Sequence, residues 1–210
     1  MTRADLIALF QQELPGEDTH VAFAPIRGRT SDFLAKGLPY KESAVAIVLY
    51  KIDEHNMAVL VTRRQTYEGK HSGQLSFPGG KREVSDENLL YTAIRECNEE
   101  IGLELSPDDL VGKLSPVYIP VSGFLIDPYV FFLDEKPEEL VLNEREVKQL
   151  HEVSLFPLFK DESVVVRDVE VMPGQTVKDI PHFVQDDVAI WGATAILLNE
   201  LKALFLRKVQ

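Results

Sequence analysis

The stretch that most constrains this chain runs from Phe77 to Leu103, FPGGKREVSDENLLYTAIRECNEEIGL. Proline and a double glycine break regular structure at its start. The spacing after them predicts a helix from about Glu87 to Ile101, with Ser85 or Asp86 as its cap and Gly102 as its stop. Leu90, Ala93, Ile94, Cys97 and Ile101 recur at helical spacing and mark the face that seeks a core. At about 100° per residue, Glu99 and Glu100 fall within about 60° of Glu96 on either side. Three carboxylates therefore share one face, roughly 120° from the apolar one.

Carboxylates so placed repel one another unless a cation sits among them. One reading is a solvated acidic face. The other is a cation site, favoured by position, because the cluster lies toward the helix C-terminus, where the dipole disfavours anions. Oxygen ligands of this kind suit Mg²⁺ or Mn²⁺, which keep several waters and take further ligands from phosphates. The local pattern leaves both readings open.

Composition narrows the rest. The 210 residues carry 22 Lys and Arg against 34 Asp and Glu, a net charge of −12. At roughly 100–200 residues per domain, residues 1–210 are expected to form one domain. The apolar runs are far shorter than the ~20 residues of a membrane helix. The single cysteine, Cys97, excludes an internal disulfide framework and a Cys-based zinc site. A chain this acidic lacks the basic face that duplex nucleic acid requires. The start, MTRADLIALFQQELPGED, turns acidic before any apolar region of signal-peptide length, so a cytoplasmic location is expected. One segment runs against the overall sign. Between Arg63 and Arg82 stand Arg63, Arg64, Lys70, Lys81 and Arg82 against Glu68, a local 5 − 1 = +4, with His71 in addition.

A helix is expected from Asp5 to Leu14, within an N-terminal segment 1–14, followed by an irregular lead-in over 15–42. Strands are expected at 43–50 and 57–64 about a turn at Asp53–Asn56, then at 74–77, 110–118, 125–133, 163–171 and 180–185. A closing helix is expected over 189–206, headed by Trp191 as a core residue. Residues 134–162 read as a loop with one short helix. His182 reads as a packed strand residue, and His20, His55 and His151 lie in polar sequence surroundings with no ligand spacing. Strands outnumber helices without regular alternation, so the class is α+β.

Gly80 followed by Arg95-Glu96-Cys97-Asn98-Glu99-Glu100-Ile101-Gly102-Leu103 resembles the Nudix box, glycine then R-E-U-x-E-E-x-G-U. The loop is one residue longer than usual, with Asp86 six and Arg95 fifteen positions after the glycine. That longer box, with Leu60-Val61-Thr62-Arg63-Arg64, Gly73 and Phe77-Pro78-Gly79-Gly80, resembles the coenzyme A pyrophosphatase branch of Nudix hydrolases. The stretch IWGATA at 190–195 is similar to that branch as well. Gln65 stands where Ser or Ala is usual, and Gly69 where a charged side chain is usual.

The resemblance implies a mixed β-sheet sandwiched between helices and hydrolysis, dependent on Mg²⁺ or Mn²⁺, of a nucleoside diphosphate linked to another moiety. For this branch the substrate is coenzyme A or acyl-CoA, split into 3′,5′-ADP and 4′-phosphopantetheine. By residue it implies Glu96 and Glu100 as metal ligands, Glu99 as ligand or base, Arg95 as their orienting partner, and Gly80 as a close approach of backbone to metal and phosphates. A loop acid, Glu144 or Glu146, is the rival base. Arg63, Arg64, Lys70 and His71, with Gly79 and Gly80, are the candidate substrate contacts. ADP-ribose, NADH or a dinucleoside polyphosphate is the alternative substrate, and a non-catalytic nucleotide-binding regulator the alternative class. The partner is a small molecule, with neither nucleic acid nor membrane, and a homodimer is compatible with the family.

Overall fold

The computed structural model describes residues 1–24, 28–65, 74–172 and 174–207. Its centre is β1, Lys41–Lys51, whose apolar, β-branched run is shielded on both faces. Ala44, Ala46, Val48 and Tyr50 point to one face, Ile47 and Leu49 to the other, the two-residue period of a strand. β1 pairs in parallel along its length with β7, Phe124–Leu133. Its other edge is shared. β2, Met57–Arg64, pairs antiparallel with it only from Leu49 to Lys51 and then diverges. The gap between them is filled by two short pieces: β3, Leu75–Ser76, pairs with β2, and β4, Gly79–Lys81, pairs with β1 at Ser43 to Val45. The split brings the double glycine against the sheet.

The predicted helix is α4, Leu89–Ile101. Its cap is Asn88, whose Oδ1 accepts from the backbone of Leu90 and Tyr91 at 3.0 and 3.3 Å, and not Ser85 or Asp86. Ala93, Cys97 and Ile101 are fully buried against Ala44, Ala46 and Ala58. Small residues on both sides let the helix lie close to the sheet. Gly102 ends it in the left-handed conformation, φ 69°.

The opposite face of the sheet carries the larger core. There α1, Arg3–Phe10, and α2, Glu17–Phe23, pack with the closing helix and a second sheet. The first helix starts earlier than expected because Thr2 and Asp5 form a reciprocal capping box, and it ends earlier as well, at Phe10. The lead-in is not irregular throughout. It holds α2 and α3, Thr30–Ala35, which depend on distant partners. Phe23 stacks on Phe183 at 4.6 Å, and buried His20 meets Glu200 at 2.8 Å. Glu200, fully buried, also accepts from Gly16 N and from Ser115 N and Oγ.

Other elements differ as well. The expected strand 110–118 is two, β5, Leu110–Lys113, and β6, Val117–Ile119, parted where Ser115 turns in to Glu200. Within 134–162 lies a full strand, β8, Val147–Ser154, paired with β2, followed by the short α5, Leu155–Leu158. Its polar-looking sequence, VKQLHEVS, hides a half-buried alternation in which Val147, His151 and Val153 face inward. The second sheet is β9, Val164–Met172, β10, Gln175–Gln185, and β11, Val188–Ile190. The last helix, α6, Ala193–Arg207, begins after β11 and a left-handed Gly192, so half-buried Trp191 precedes it. His182 is buried in β10 as expected, and His20 and His151 are buried as well. Among the described residues no helix is long and apolar enough to cross a membrane. The architecture is a mixed sheet between helices, as the resemblance implies, and the class is α+β.

Candidate functional site

The site is assembled where α4 passes over β4. Gly80 lies beneath Glu96, and a Cβ there would come within 2.5 Å of the Glu96 carboxyl. Gly79 is pressed onto β1, and a Cβ there would come within 2.4 Å of the Ala44 carbonyl oxygen. Both glycines serve close approach.

Arg95 holds the cluster together. Its Nη1 donates to Glu96 Oε1 at 2.9 Å and to Glu99 Oε2 at 3.0 Å, and Nη2 donates to Lys81 O at 3.1 Å. The guanidinium is anchored by Asp86, with Nε to Oδ1 at 2.8 Å and Nη2 to Oδ2 at 2.9 Å. Asp86 is buried and also accepts from Thr92 Oγ1 and Glu83 N. Hydrogen bonds from Arg95 foremost outweigh burial and hold its carboxyl well below the usual range. Sequence reasoning treated Asp86 as a helix cap. Its nine-residue separation from Arg95 carries no local signal of contact.

The three glutamates differ. Glu99 is exposed, Glu96 half-buried and Glu100 buried. Burial pushes the Glu100 carboxyl up to about 8; Arg64 and the Gly79 N–H draw it down, and Glu96 and Glu146 push it further up. Burial also raises Glu96, opposed by Arg95 and aided by Glu99 and Glu146. Among the described residues, Glu100 Oε2 is a buried oxygen without a hydrogen-bond partner. A buried carboxylate oxygen left in this way is costly and calls for a cation.

The described residues contain no group of three or more His, Cys, Asp or Glu drawn together as a ready ligand set. Arg95 occupies Glu96 and Glu99 instead. The donor set still fits a hard divalent cation: all oxygen, one buried oxygen unpartnered, and a glycine floor that a side chain would fill.

The neighbouring arginines of β2 part company, because successive strand residues face opposite sides. Arg64 acts on Glu100, on the α4 side. Arg63 lies on the other face, where its Nε meets His151 Nε2 at 3.3 Å. Burial foremost, then Arg63, lowers the His151 pKa. The four proposed substrate contacts 63, 64, 70 and 71 are therefore not one patch: Arg63 is separated from the acidic cluster by the sheet, and Lys70 and His71 lie outside the described residues, as do Gly69 and Gly73. Arg82 is paired with Glu42 at 2.9 Å. Lys81 and Arg82 line an open groove with Glu83, Val84, Ser85 and Glu96. Glu146, exposed on the loop before β8, is near enough for its charge to help raise both Glu96 and Glu100.

A model of the NUDIX domain matches residues 40–173. Nudix hydrolase 22, chloroplastic, of Arabidopsis thaliana is 33% identical over 212 residues, covering 93% of this chain and 63% of that protein. This chain thus spans less than two thirds of the plant relative. Mitochondrial coenzyme A diphosphatase NUDT8 of Mus musculus is 30% identical over 141 residues, 67% of each chain. Among solved structures, a MutT/nudix family protein from Enterococcus faecalis superposes with a TM-score of 0.55 at 16% identity, covering 94% of this chain and 76% of that one. That likeness bears on the fold alone. The matched region takes in β1 through β9 and every residue of the acidic cluster, and the chain belongs to the Nudix hydrolase family.

Proposed function

We propose that this protein hydrolyses the pyrophosphate linkage of coenzyme A or an acyl-CoA, using Mg²⁺ or Mn²⁺, to 3′,5′-ADP and (acyl-)4′-phosphopantetheine. The observation that carries the hydrolase reading is the buried, unpartnered Glu100 oxygen beside Glu96 over the Gly79–Gly80 floor. The coenzyme A assignment is supported by the upstream residues 60–80 and by the similarity to the mouse coenzyme A diphosphatase.

In this reading Glu96, Glu99 and Glu100 hold the metal, which when bound neutralises pyrophosphate oxygens and acidifies a water. Asp86 fixes Arg95, and Arg95 fixes the Glu96 and Glu99 carboxylates through charge-assisted hydrogen bonds. Arg64 offsets charge beside Glu100. Glu146 takes the proton of the attacking water as general base, since its charge reaches both Glu96 and Glu100 while Glu99 turns to Arg95 and solvent. Lys81, exposed beside Gly80, meets anionic substrate oxygens from the groove.

A second reading, hydrolysis of ADP-ribose, NADH or a dinucleoside polyphosphate, draws on Gln65 and Gly69, which depart from the coenzyme A pattern. Purified protein with Mg²⁺ or Mn²⁺ against coenzyme A, acetyl-CoA, ADP-ribose, NADH and diadenosine polyphosphates separates the two. Release of 3′,5′-ADP from coenzyme A is expected. Turnover of another substrate alone selects the second reading, and none at all overturns both.

A further inference from the structure

Glu146 is an exposed acid on the stretch between β7 and β8, where a free loop would leave its carboxylate spread over many positions. Two anchors remove that freedom. The first is the end of α4, whose last carbonyls have no partner within the helix. Val141 N donates to Ile101 O at 3.0 Å and Asn143 N to Glu100 O at 2.9 Å. The loop passes so near that a Cβ on Gly102 would lie 2.9 Å from Val141 N. This anchor stops at Asn143, whose carbonyl then accepts from Glu146 N and Val147 N across a turn.

The second anchor is one residue. Gln65, directly after β2, donates from its backbone N to Glu146 O at 2.8 Å. Its side-chain Nε2 donates to Glu144 O at 2.7 Å. Main chain and side chain together bracket Arg145, so the turn is gripped on both sides. β8 begins immediately after, with Val147 opposite Arg64 but Gln149 opposite Arg63. Lys148 is thus an extra residue, a bulge of the kind that re-aims side chains beside active sites. Alanine offers no donor to Glu144 O, serine is too short to span to it, and glutamate has the length but accepts instead of donating.

Resting on the hydrolase reading with Glu146 as base, we propose that Gln65 is a positioning residue, clamping the 144–146 turn so that Glu146 is held beside the C-terminal end of α4, next to Glu100. Gln65 thereby sets the geometry of the proton-accepting step, and the substrate need not touch it.

The test uses Gln65→Ala and the isosteric Gln65→Glu in the full chain, on whichever substrate the wild type turns over. Both variants should lower kcat about five- to tenfold with KM within about twofold, because misplacing a reacting group costs rate more than binding. Amide exchange should rise over 143–147 and stay unchanged in α4. In a Glu146→Gln background, Gln65→Ala should add no further loss, since the group it positions is gone. Unchanged kcat, unchanged exchange, or losses that multiply in the double variant would each overturn the proposal. So would a Glu146→Gln protein as active as wild type. A wild type inactive on every substrate defeats the hydrolase reading itself, an outcome distinct from an active wild type indifferent to Gln65.

Discussion

Asp86 and Arg95 meet side-on, through paired hydrogen bonds of 2.8 and 2.9 Å, although nine residues separate them. One comes from the turn after β4 and the other from the second turn of α4. The contact ties the glycine floor to the helix that carries the glutamates, and leaves Nη1 free to serve Glu96 and Glu99. Its energetic weight and its pH dependence are measurable.

Asp86→Asn keeps the volume but removes the charge that Arg95 faces. Urea unfolding at pH 7 should show a loss of about 1.5–3 kcal/mol, the range for hydrogen bonds to charged groups. Asp86 is held ionised in the folded protein, while the unfolded chain takes up its proton near about pH 3.9. A depressed folded pKa gives stabilisation that is present above that pH and fades as pH falls. The gap between wild type and Asp86→Asn should therefore be full at pH 6 and narrower at pH 3. An undiminished gap at pH 3 would count against the charged contact.

Glu100→Gln removes a buried charge whose Oε2 has no partner. In EDTA above about pH 8, where the Glu100 carboxyl of the metal-free wild type is ionised in its buried site, the variant should melt at or above the wild-type temperature. The rise in melting temperature that Mn²⁺ gives the wild type should vanish. Turnover should fall by more than about 100-fold, beyond the range seen for groups that only support a ligand. Scanning calorimetry with and without Mn²⁺ checks the first two outcomes, and steady-state kinetics the third.

The adjacent glycines should fail differently. A Cβ at Gly79 meets the Ala44 backbone, which cannot move without breaking β1. Gly79→Ala should cost about 1–3 kcal/mol or more in urea unfolding, as overpacking does. A Cβ at Gly80 meets only the far end of Glu96, which can swing away. Gly80→Ala should stay near wild-type stability and lose turnover, with Glu96 displaced.

Arg63 and Arg64 offer a matched comparison across the sheet. Arg64→Ala should reduce kcat/KM by about 10- to 100-fold through its influence on Glu100. Arg63→Ala should leave turnover within about threefold and instead release His151, whose pKa should rise toward its ordinary value. Steady-state kinetics and a histidine NMR titration would show the split; equal kinetic losses would contradict it.

Local pattern carried much of this protein. The helix and its acidic face, the β1 and β2 runs and the α+β class were legible, because each depends on residue spacing within a short stretch; the mixed sheet between helices and the close approach at Gly80 followed from the resemblance to the Nudix box. The same residues pointed to a cation site, although they could not separate it from a solvated face. What was not legible lies in contacts between distant segments. β8 looked polar because one face of it is bare, and α2 and α3 looked irregular because their support comes from Phe183 and Tyr118 rather than from their own spacing.

The sequence by itself determined that Glu96, Glu99 and Glu100 lie toward one side of the helix, because helical periodicity fixes their directions relative to one another. Only the tertiary structure decided how each is used. Packing α4 on the alanines of β1 buried Glu100, left Glu99 in solvent, and brought Asp86, Arg64 and Glu146 from three other segments to the cluster. It also sent Arg63 to the far side of the sheet from its neighbour. The reason is physical. Periodicity fixes a side chain's direction relative to its own element, whereas burial, charge pairing and pKa depend on what other elements bring to that face.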